Sequence, residues 1–282
     1  MTYEALLRKA FKLAEAQDKE TEAVKFLLME TYQGTPHEFY MSLNQETNQE
    51  IEKLFLERLD AYVYQHVPVQ HLLGFSYFFG YKFKVNEDVL IPRLETEHLV
   101  EHVIHYYDQY FFGKKIKVLD LGCGSGCIGL TLKLEIPEIE ITLSDISEKA
   151  LNVAKINQQN LDLEAKFVLS DLFENISDKF DVIVSNPPYI PDDEEVMDIV
   201  KKEPEVALYG GKFGLDFYER ILKSAKEHLH DYGLIAFEHG YQHAKPLYDL
   251  IHQYYPEAKI IQMKDLAGKD RFTFVGFNGV LV

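Results

Sequence analysis

The run VLDLGCGSGCIGL, residues 118–130, constrains the fold more than any other part of the chain. An apolar strand-like stretch, KIKVLDL, meets three alternate glycines, Gly122, Gly124 and Gly126, and passes into a helix-like stretch, CIGLTLKLEI. Glycines at a strand-to-helix turn remove side chains where a ligand must approach the backbone. The same alternation continues downstream. IEITLSD is followed by the helical SEKALNVAKINQQN, AKFVLSD and KFDVIVSN read as further strands, and GLIAFEHG and RFTFVGF read as strands with helices between them. Alternating β and α segments imply an α/β fold with a doubly wound, mostly parallel sheet. Ligands of such sheets sit beyond the carboxyl ends of the strands. The glycine loop, Asp145, Asp171, Asn186 and Glu238 all fall at predicted strand ends.

Residues 1–72 have a different character. YEALLRKAFKLAEA puts Leu6, Leu7, Ala10, Phe11 and Leu13 on one stripe, TEAVKFLLMETYQ starts at Thr21 as a candidate N-cap, and NQETNQEIEKLFLERLDAYVYQ is apolar at Ile51, Leu54, Phe55, Leu59 and Val63. The segment carries 7 basic and 12 acidic residues, no glycine-rich loop and no cluster of catalytic residue types. It reads as a small helical bundle serving recognition or support. PVQHLLGFSYFFGYKFKVNEDVLIPR, residues 68–93, alternates aromatic and β-branched residues with polar ones around Gly80, the pattern of a β-hairpin joining two domains. The expected division is therefore 1–72, a linker at 73–93, and 94–282.

The formal net charge is -17, and no run of Lys and Arg longer than the pair Lys114-Lys115 stands out. That balance argues against a protein built to grip phosphate backbone, so no direct nucleic-acid binding is expected. The two cysteines, Cys123 and Cys127, lack further ligands at metal-site spacing and read as buried thiols, with no metal site. Few cysteines, a charged N-terminus without an apolar core, and no apolar run of about 18 residues suggest a cytoplasmic protein without a membrane partner.

What does the glycine loop hold? Gly124-x-Gly126-x-x-Gly129, with Asp145 about twenty residues on, also matches the dinucleotide fingerprint. A nicotinamide dinucleotide and S-adenosylmethionine both need close backbone approach and a carboxylate for ribose hydroxyls. Asp120 beside the loop would repel a pyrophosphate and welcome a sulfonium, which favours S-adenosylmethionine. SNPPYI, residues 185–190, ends the fourth strand at the same crevice. Two prolines fix φ and remove backbone donors, leaving carbonyls expected to face outward. Asn186 adds a side-chain carbonyl, and Tyr189 offers an aromatic face. Together these suit a planar –NH2 group with its nitrogen aimed at an electrophile.

PVQHLLG, IPRLETEHLVE, VLDLGCGSGCIGL, Asp145, SDLFE, SNPPYI, EPEVAL, FEHG and KDLAGKDRF together resemble the release-factor glutamine methyltransferases, over essentially the whole chain. Asn-Pro-Pro-Tyr alone is shared with adenine-N6 methyltransferases and fixes chemistry rather than substrate. The resemblance implies a class I methyltransferase sheet of seven strands, Rossmann-like, and S-adenosylmethionine as methyl donor. It implies peptide-chain release factors as protein substrates, methylated on a glutamine side-chain amide, and a monomeric enzyme. It assigns Asp120, Gly122, Cys123, Gly124, Ser125 and Gly126 to the methionine side of the donor, Asp145 to the ribose, and Asp171 with Leu172 to the adenine. Asn186 would touch donor and substrate. Pro187, Pro188, Tyr189, Arg93 and Glu95 would contact the substrate, and Asn186, Pro187 and Tyr189 would carry the catalysis. The family usually reads I-P-R-P-E-T-E. Leu94 replaces the second proline here, so the loop bearing Arg93 and Glu95 is expected to be less rigid.

Two other readings compete with this one: an adenine-N6 nucleic-acid methyltransferase, which the acidity disfavours, and a dinucleotide-binding module, which has no use for the prolines. A glutamine methyltransferase acting on a ribosomal protein would share the chemistry and differ only in recognition. No residue is required as a general base; Glu238 and His239 are the candidates for one, and a strand-end hydrogen-bonding role is the preferred reading of both.

Overall fold

A computed structural model describes all residues, 1–282. The chain divides into two compact units. The first comprises Met1–Phe75 together with Val196–Lys202, and the second comprises Ser76–Glu195 with Glu203–Val282.

The first unit is helical: α1 (Tyr3–Ala16), α2 (Thr21–Tyr32), α3 (Pro36–Ser42), α4 (Gln49–Tyr64) and α5 (Val69–Leu73). Tyr3, Leu6, Ala10 and Ala14 recur at helical spacing and form the buried face of α1. They pack with Val24, Leu27, Leu28, Phe39, Phe55 and Leu59 in one core. Glu20, not Thr21, is the N-cap of α2. The α3 helix, absent from the sequence reading, starts with a full capping box. Thr35 accepts from the Glu38 backbone N–H, while the Glu38 side chain accepts from Thr35 N, and Pro36 occupies the first turn. The α4 helix begins at Gln49, because Asn48 caps the N–H groups of Glu50 and Ile51. Ile199 packs against this helical core, which is why Val196–Lys202 clusters with the first unit rather than with its sequence neighbours.

The hairpin is shorter than the alternation implied. Residues 69–73 form α5, which ends at Gly74 with φ 78°, and only β1 (Phe75–Phe78) and β2 (Tyr81–Lys84) pair. In the second unit α6 (Leu94–Tyr106) precedes β3 (Lys117–Leu121), α7 (Cys127–Glu135), β4 (Glu140–Asp145), α8 (Glu148–Asn160), β5 (Lys166–Leu169) and β6 (Phe180–Ser185). Then come α9 (Asp216–Ala225), β7 (Leu229–Glu238), α10 (Ala244–Tyr254), β8 (Lys259–Lys264) and β9 (Asp270–Gly276). The sheet order is β5-β4-β3-β6-β7-β9-β8, parallel from β5 to β7, with β9 antiparallel to both neighbours. This is the expected doubly wound sheet of seven strands. One of them, β8, lies in a stretch the sequence reading gave to helix.

Both sheet faces are covered, and successive strand residues feed opposite cores. Val118, Val182, Leu234 and Phe274 pack on the side of α6 and α7. Leu119, Ile183, Ile235 and Val275 pack on the side of α9 and α10. Two buried faces explain why these strands read as near-continuous apolar runs. The strand order reverses at β3, where β4 lies to one side and β6 to the other, so the carboxyl ends of β3, β4 and β6 open a crevice at the switch point.

Candidate active site

One pocket in the second unit gathers most of the predicted residues. Arg93, Gly122, Cys123, Gly124, Ser125, Asp145, Asp171, Leu172, Asn186, Pro187 and Pro188 line it. Its other walls include Leu90, Thr96, Ile128, Ile146, Val206 and Phe217, which the sequence did not single out.

The glycine loop is built as its composition requires. Gly124 sits at φ 53°, where a Cβ would meet nothing within 4 Å, so bare backbone faces open space. Gly126 has a different duty. It is the N-cap of α7 at φ 80°, and a Cβ there would come within 3.0 Å of Leu143, so it permits close helix-on-sheet packing and does not itself line the pocket. Asp145 accepts from Gly124 N at 2.9 Å and from Ser147 N at 2.8 Å, which fixes the carboxylate at the mouth of β4. Burial raises its pKa while those backbone donors hold it down.

Asp120 corrects an expectation. It is fully buried behind the loop and does not line the pocket. Its Oδ2 accepts from Gly129 N at 2.8 Å, tying β3 to the first turn of α7, and its Oδ1 has no partner. Burial lifts its pKa to about 7. Asp120 therefore acts on the loop through its backbone rather than by meeting a ligand. Cys123 and Cys127 are free thiols, and burial pushes Cys127 up to about 12 and lifts Cys123 well above the ordinary thiol range, so neither is poised as a nucleophile.

Asp171 follows β5 and pairs with Arg220 of α9 at 2.8 Å. Leu172 beside it has φ 48°. The Asn-Pro-Pro-Tyr segment leaves β6 at the centre of the crevice. Pro188 departs from expectation, since its carbonyl packs against Gly210, where a Cβ would come within 2.4 Å. The neighbouring backbone explains this: Ile190 N bonds Leu208 O and Gly210 N bonds Ile190 O, drawing that stretch onto 208–210. Tyr189 departs further. It lies outside the lining residues, packs with the core on the α9 side, and sets its ring 6.2 Å from that of His243. Burial pushes its hydroxyl up to about 12.

The IPRLETE segment is firmer than Leu94 suggested. Glu203, from the EPEVAL motif, is buried, accepts from Ile91 N at 2.8 Å and pairs with Arg93. Leu94 opens α6, so Glu95 sits in a helical turn rather than a loop, exposed and outside the pocket lining. Thr96, one residue on, is buried and meets Asn186, whose Nδ2 donates to Thr96 Oγ1 at 3.4 Å. Thr96 was invisible in sequence because its role depends on α6 reaching β6. No helix is long and apolar enough to cross a membrane.

The pocket fits S-adenosylmethionine. A bare backbone cradle, a fixed carboxylate on the second strand and an apolar wall with Leu172 and Phe217 suit an aminoacyl tail, a ribose and an adenine in turn.

Comparison with known proteins agrees. A family model described as methyltransferase small domain matches residues 96–212, and one described as PrmC N-terminal domain matches residues 4–74. The release factor glutamine methyltransferase of Bacillus cereus is 36% identical over 278 residues, covering 96% of this chain and 98% of that protein. The enzyme of the same name from Streptococcus pneumoniae is 37% identical, covering 92% of each chain. In fold, a methyltransferase from Pyrococcus furiosus matches with a TM-score of 0.52 at 19% identity, over 72% of this chain and 91% of that one. Identity at this level along nearly the full length of both chains, with the glycine loop meeting Asn186, Pro187 and Pro188 in one pocket, means that the chain belongs to the release factor glutamine methyltransferase family.

Proposed function

We propose that this protein transfers a methyl group from S-adenosylmethionine to the side-chain amide nitrogen of the glutamine in the Gly-Gly-Gln motif of peptide-chain release factors. The observation that carries the reading is the placement of the Asn186 carboxamide in the same pocket as Gly122–Ser125 and Asp145. Its relatives' names give the substrate class.

S-adenosylmethionine supplies an electrophilic methyl group on a sulfonium. With the donor bound, transfer would break its methyl C–S bond as the C–N bond forms, leaving a neutral thioether, and the amide nitrogen would lose one proton to solvent. An amide nitrogen is a poor nucleophile because its lone pair is shared with the carbonyl. Acceptors on its hydrogens raise its electron density, and fixed orientation supplies much of the remaining acceleration. In this reading Asn186 Oδ1 accepts one substrate N–H and the Pro187 carbonyl the other. Asp145 holds the ribose, and Leu172 with Phe217 flanks the adenine. Tyr189 serves as a prop beneath the prolines. The helical unit supplies the protein-specific docking that one glutamine side chain is too small to provide.

Mass spectrometry of a release factor incubated with enzyme and S-adenosylmethionine tests this. One added methyl on the Gly-Gly-Gln glutamine is expected. An unmodified release factor, with adenine methylated in a parallel oligonucleotide arm, would overturn it.

A further inference from the structure

Beside Asn186 stands a buried acid with no part in the reaction as written above. Strands β6 and β7 run parallel with Ser185 opposite Phe237, so Asn186 and Glu238 leave the sheet side by side. Glu238 is 2% exposed. Tyr218 Oη donates to its main-chain carbonyl at 2.7 Å, which fixes the backbone at that point. One carboxyl oxygen, Oε2, has no partner, and the neighbouring Thr96 and Asn186 side chains lower the acid's pKa as hydrogen-bond donors would. Thr96 closes a triangle, because it also accepts from Asn186 Nδ2 at 3.4 Å.

The donor inventory of this triangle has one consistent solution. An ionised carboxylate only accepts, so whatever it touches must donate. The Thr96 hydroxyl then gives its single hydrogen to Glu238 and accepts one hydrogen from Asn186 Nδ2. The second Asn186 hydrogen goes to Glu238. In that arrangement both hydrogens of the carboxamide are taken up behind it, and Oδ1 is the end left for the pocket.

We propose that Glu238, acting with Thr96, is a positioning residue that locks the Asn186 carboxamide with its oxygen toward the substrate. The inference rests on the reading of Asn186 given above. The terminal torsion of an asparagine is broad and roughly two-fold, so an unlocked carboxamide presents either end. The flipped end would set an –NH2 against the –NH2 of the substrate, and no hydrogen bond forms between two donors. A buried acid unsatisfied at one oxygen costs stability, and this lock gives a reason for keeping it.

The lock titrates. Burial lifts Glu238 to about 7; Thr96, Arg271 of β9 and Asn186 pull it down, and Glu95 of α6 pushes it up. The other titratable groups that feel it, Cys127 of α7, Tyr218 of α9 and Tyr189, are all raised and uncharged at neutrality. A protonated Glu238 carries a hydrogen of its own, which draws the carboxamide oxygen inward. The lock therefore engages as pH rises through about 7.

The test compares the whole enzyme with Glu238→Gln and Thr96→Val, measuring cofactor affinity by calorimetry and release-factor methylation on both sides of neutrality. Glutamine keeps the shape but cannot titrate, and its –NH2 invites the wrong end of Asn186. For Glu238→Gln, kcat should fall about 10- to 100-fold, by analogy with the loss when hydrogen-bonding partners that orient metal-binding residues are removed. Cofactor affinity should hold, and the rise of kcat/KM through neutrality should vanish. Thr96→Val should lose less and keep the rise. Unchanged kcat in Glu238→Gln overturns the lock, as does a loss that leaves the pH rise in place or tracks lost cofactor affinity. An unaltered enzyme that does not methylate release factor would instead sink the functional reading.

Discussion

In the helical unit the side chains hidden from solvent are nearly all apolar. The buried polar pair there, Thr31 and Ser42, each returns its hydroxyl to a main-chain carbonyl of the same helix, Leu27 O at 2.7 Å and Phe39 O at 2.8 Å. The second unit buries Asp120, Glu203, Glu238 and His239, and half-buries Asp145. Hiding an ionisable group costs free energy unless partners compensate. The acids of the second unit are only partly compensated, since Asp120 and Glu238 each keep one oxygen without a partner. Such groups gather where chemistry needs them. The four acids lie around one crevice: Asp120 behind the glycine loop, Asp145 at its mouth, Glu203 under the Ile91–Arg93 strap and Glu238 beside Asn186. The helical unit rests mainly on apolar packing, with ties such as Arg58 to the Thr31 hydroxyl at 2.9 Å, whereas the second unit buries acids whose ties aim particular atoms.

The largest effect that separates the two should come from Phe55→Ala. Phe55 is 0% exposed in the helical core. Its loss should cost about 3–5 kcal/mol of that unit's stability, read by denaturant unfolding, with cofactor affinity unchanged. A matching fall in cofactor affinity would erase the distinction between the units.

Asn186→Ala should do the opposite, leaving the fold intact and raising the barrier by about 3 kcal/mol, the cost typical of one lost polar orienter. Near-normal turnover would remove Asn186 from the chemistry. Asp145→Ala comes next. It gives up a charge-assisted bond to the ribose, roughly 1.5–3 kcal/mol, and frees Gly124 N and Ser147 N as well. Cofactor affinity should drop first. Unchanged binding by calorimetry would place the ribose elsewhere.

The same contrast explains what the sequence made legible. The strand runs, the glycine loop and the residues at strand ends carry local signals, and they sit where those signals put them. Helix α3 had a readable cue in Thr35-Pro-His-Glu, but its seven residues are too few for periodicity to register. Strand β8 is an edge strand, half-buried along Ile260–Met263, without the alternation that marks a one-sided strand. Thr96 and Glu203 gain meaning only when distant segments meet, at Asn186 and at Arg93. Asp120 showed its charge but not its direction. A strand residue faces one side or the other by register, and this one turns to Gly129.

The smallest effect concerns Leu94, where the family usually carries proline. Leu94 is the first residue of α6 and 74% exposed. Proline is favoured at that position because its fixed φ suits a first helical turn and its missing N–H is not needed there. The residue before a proline must be extended, and Arg93 already is, at φ -104° and ψ 150°. Leu94→Pro should therefore stabilise the protein by about 0.4–1 kcal/mol, chiefly by restricting the unfolded chain, seen as a small rise in melting temperature. Kinetics should stay as they are. Arg93 is held by Glu203 and Ile91 N by the same carboxylate, so the strap owes its shape to a buried tie rather than to local backbone stiffness. A several-fold gain in kcat with proline would mean that the strap moves during turnover and that the Glu203 tie does not hold it, which would return the second unit's order to ordinary chain stiffness.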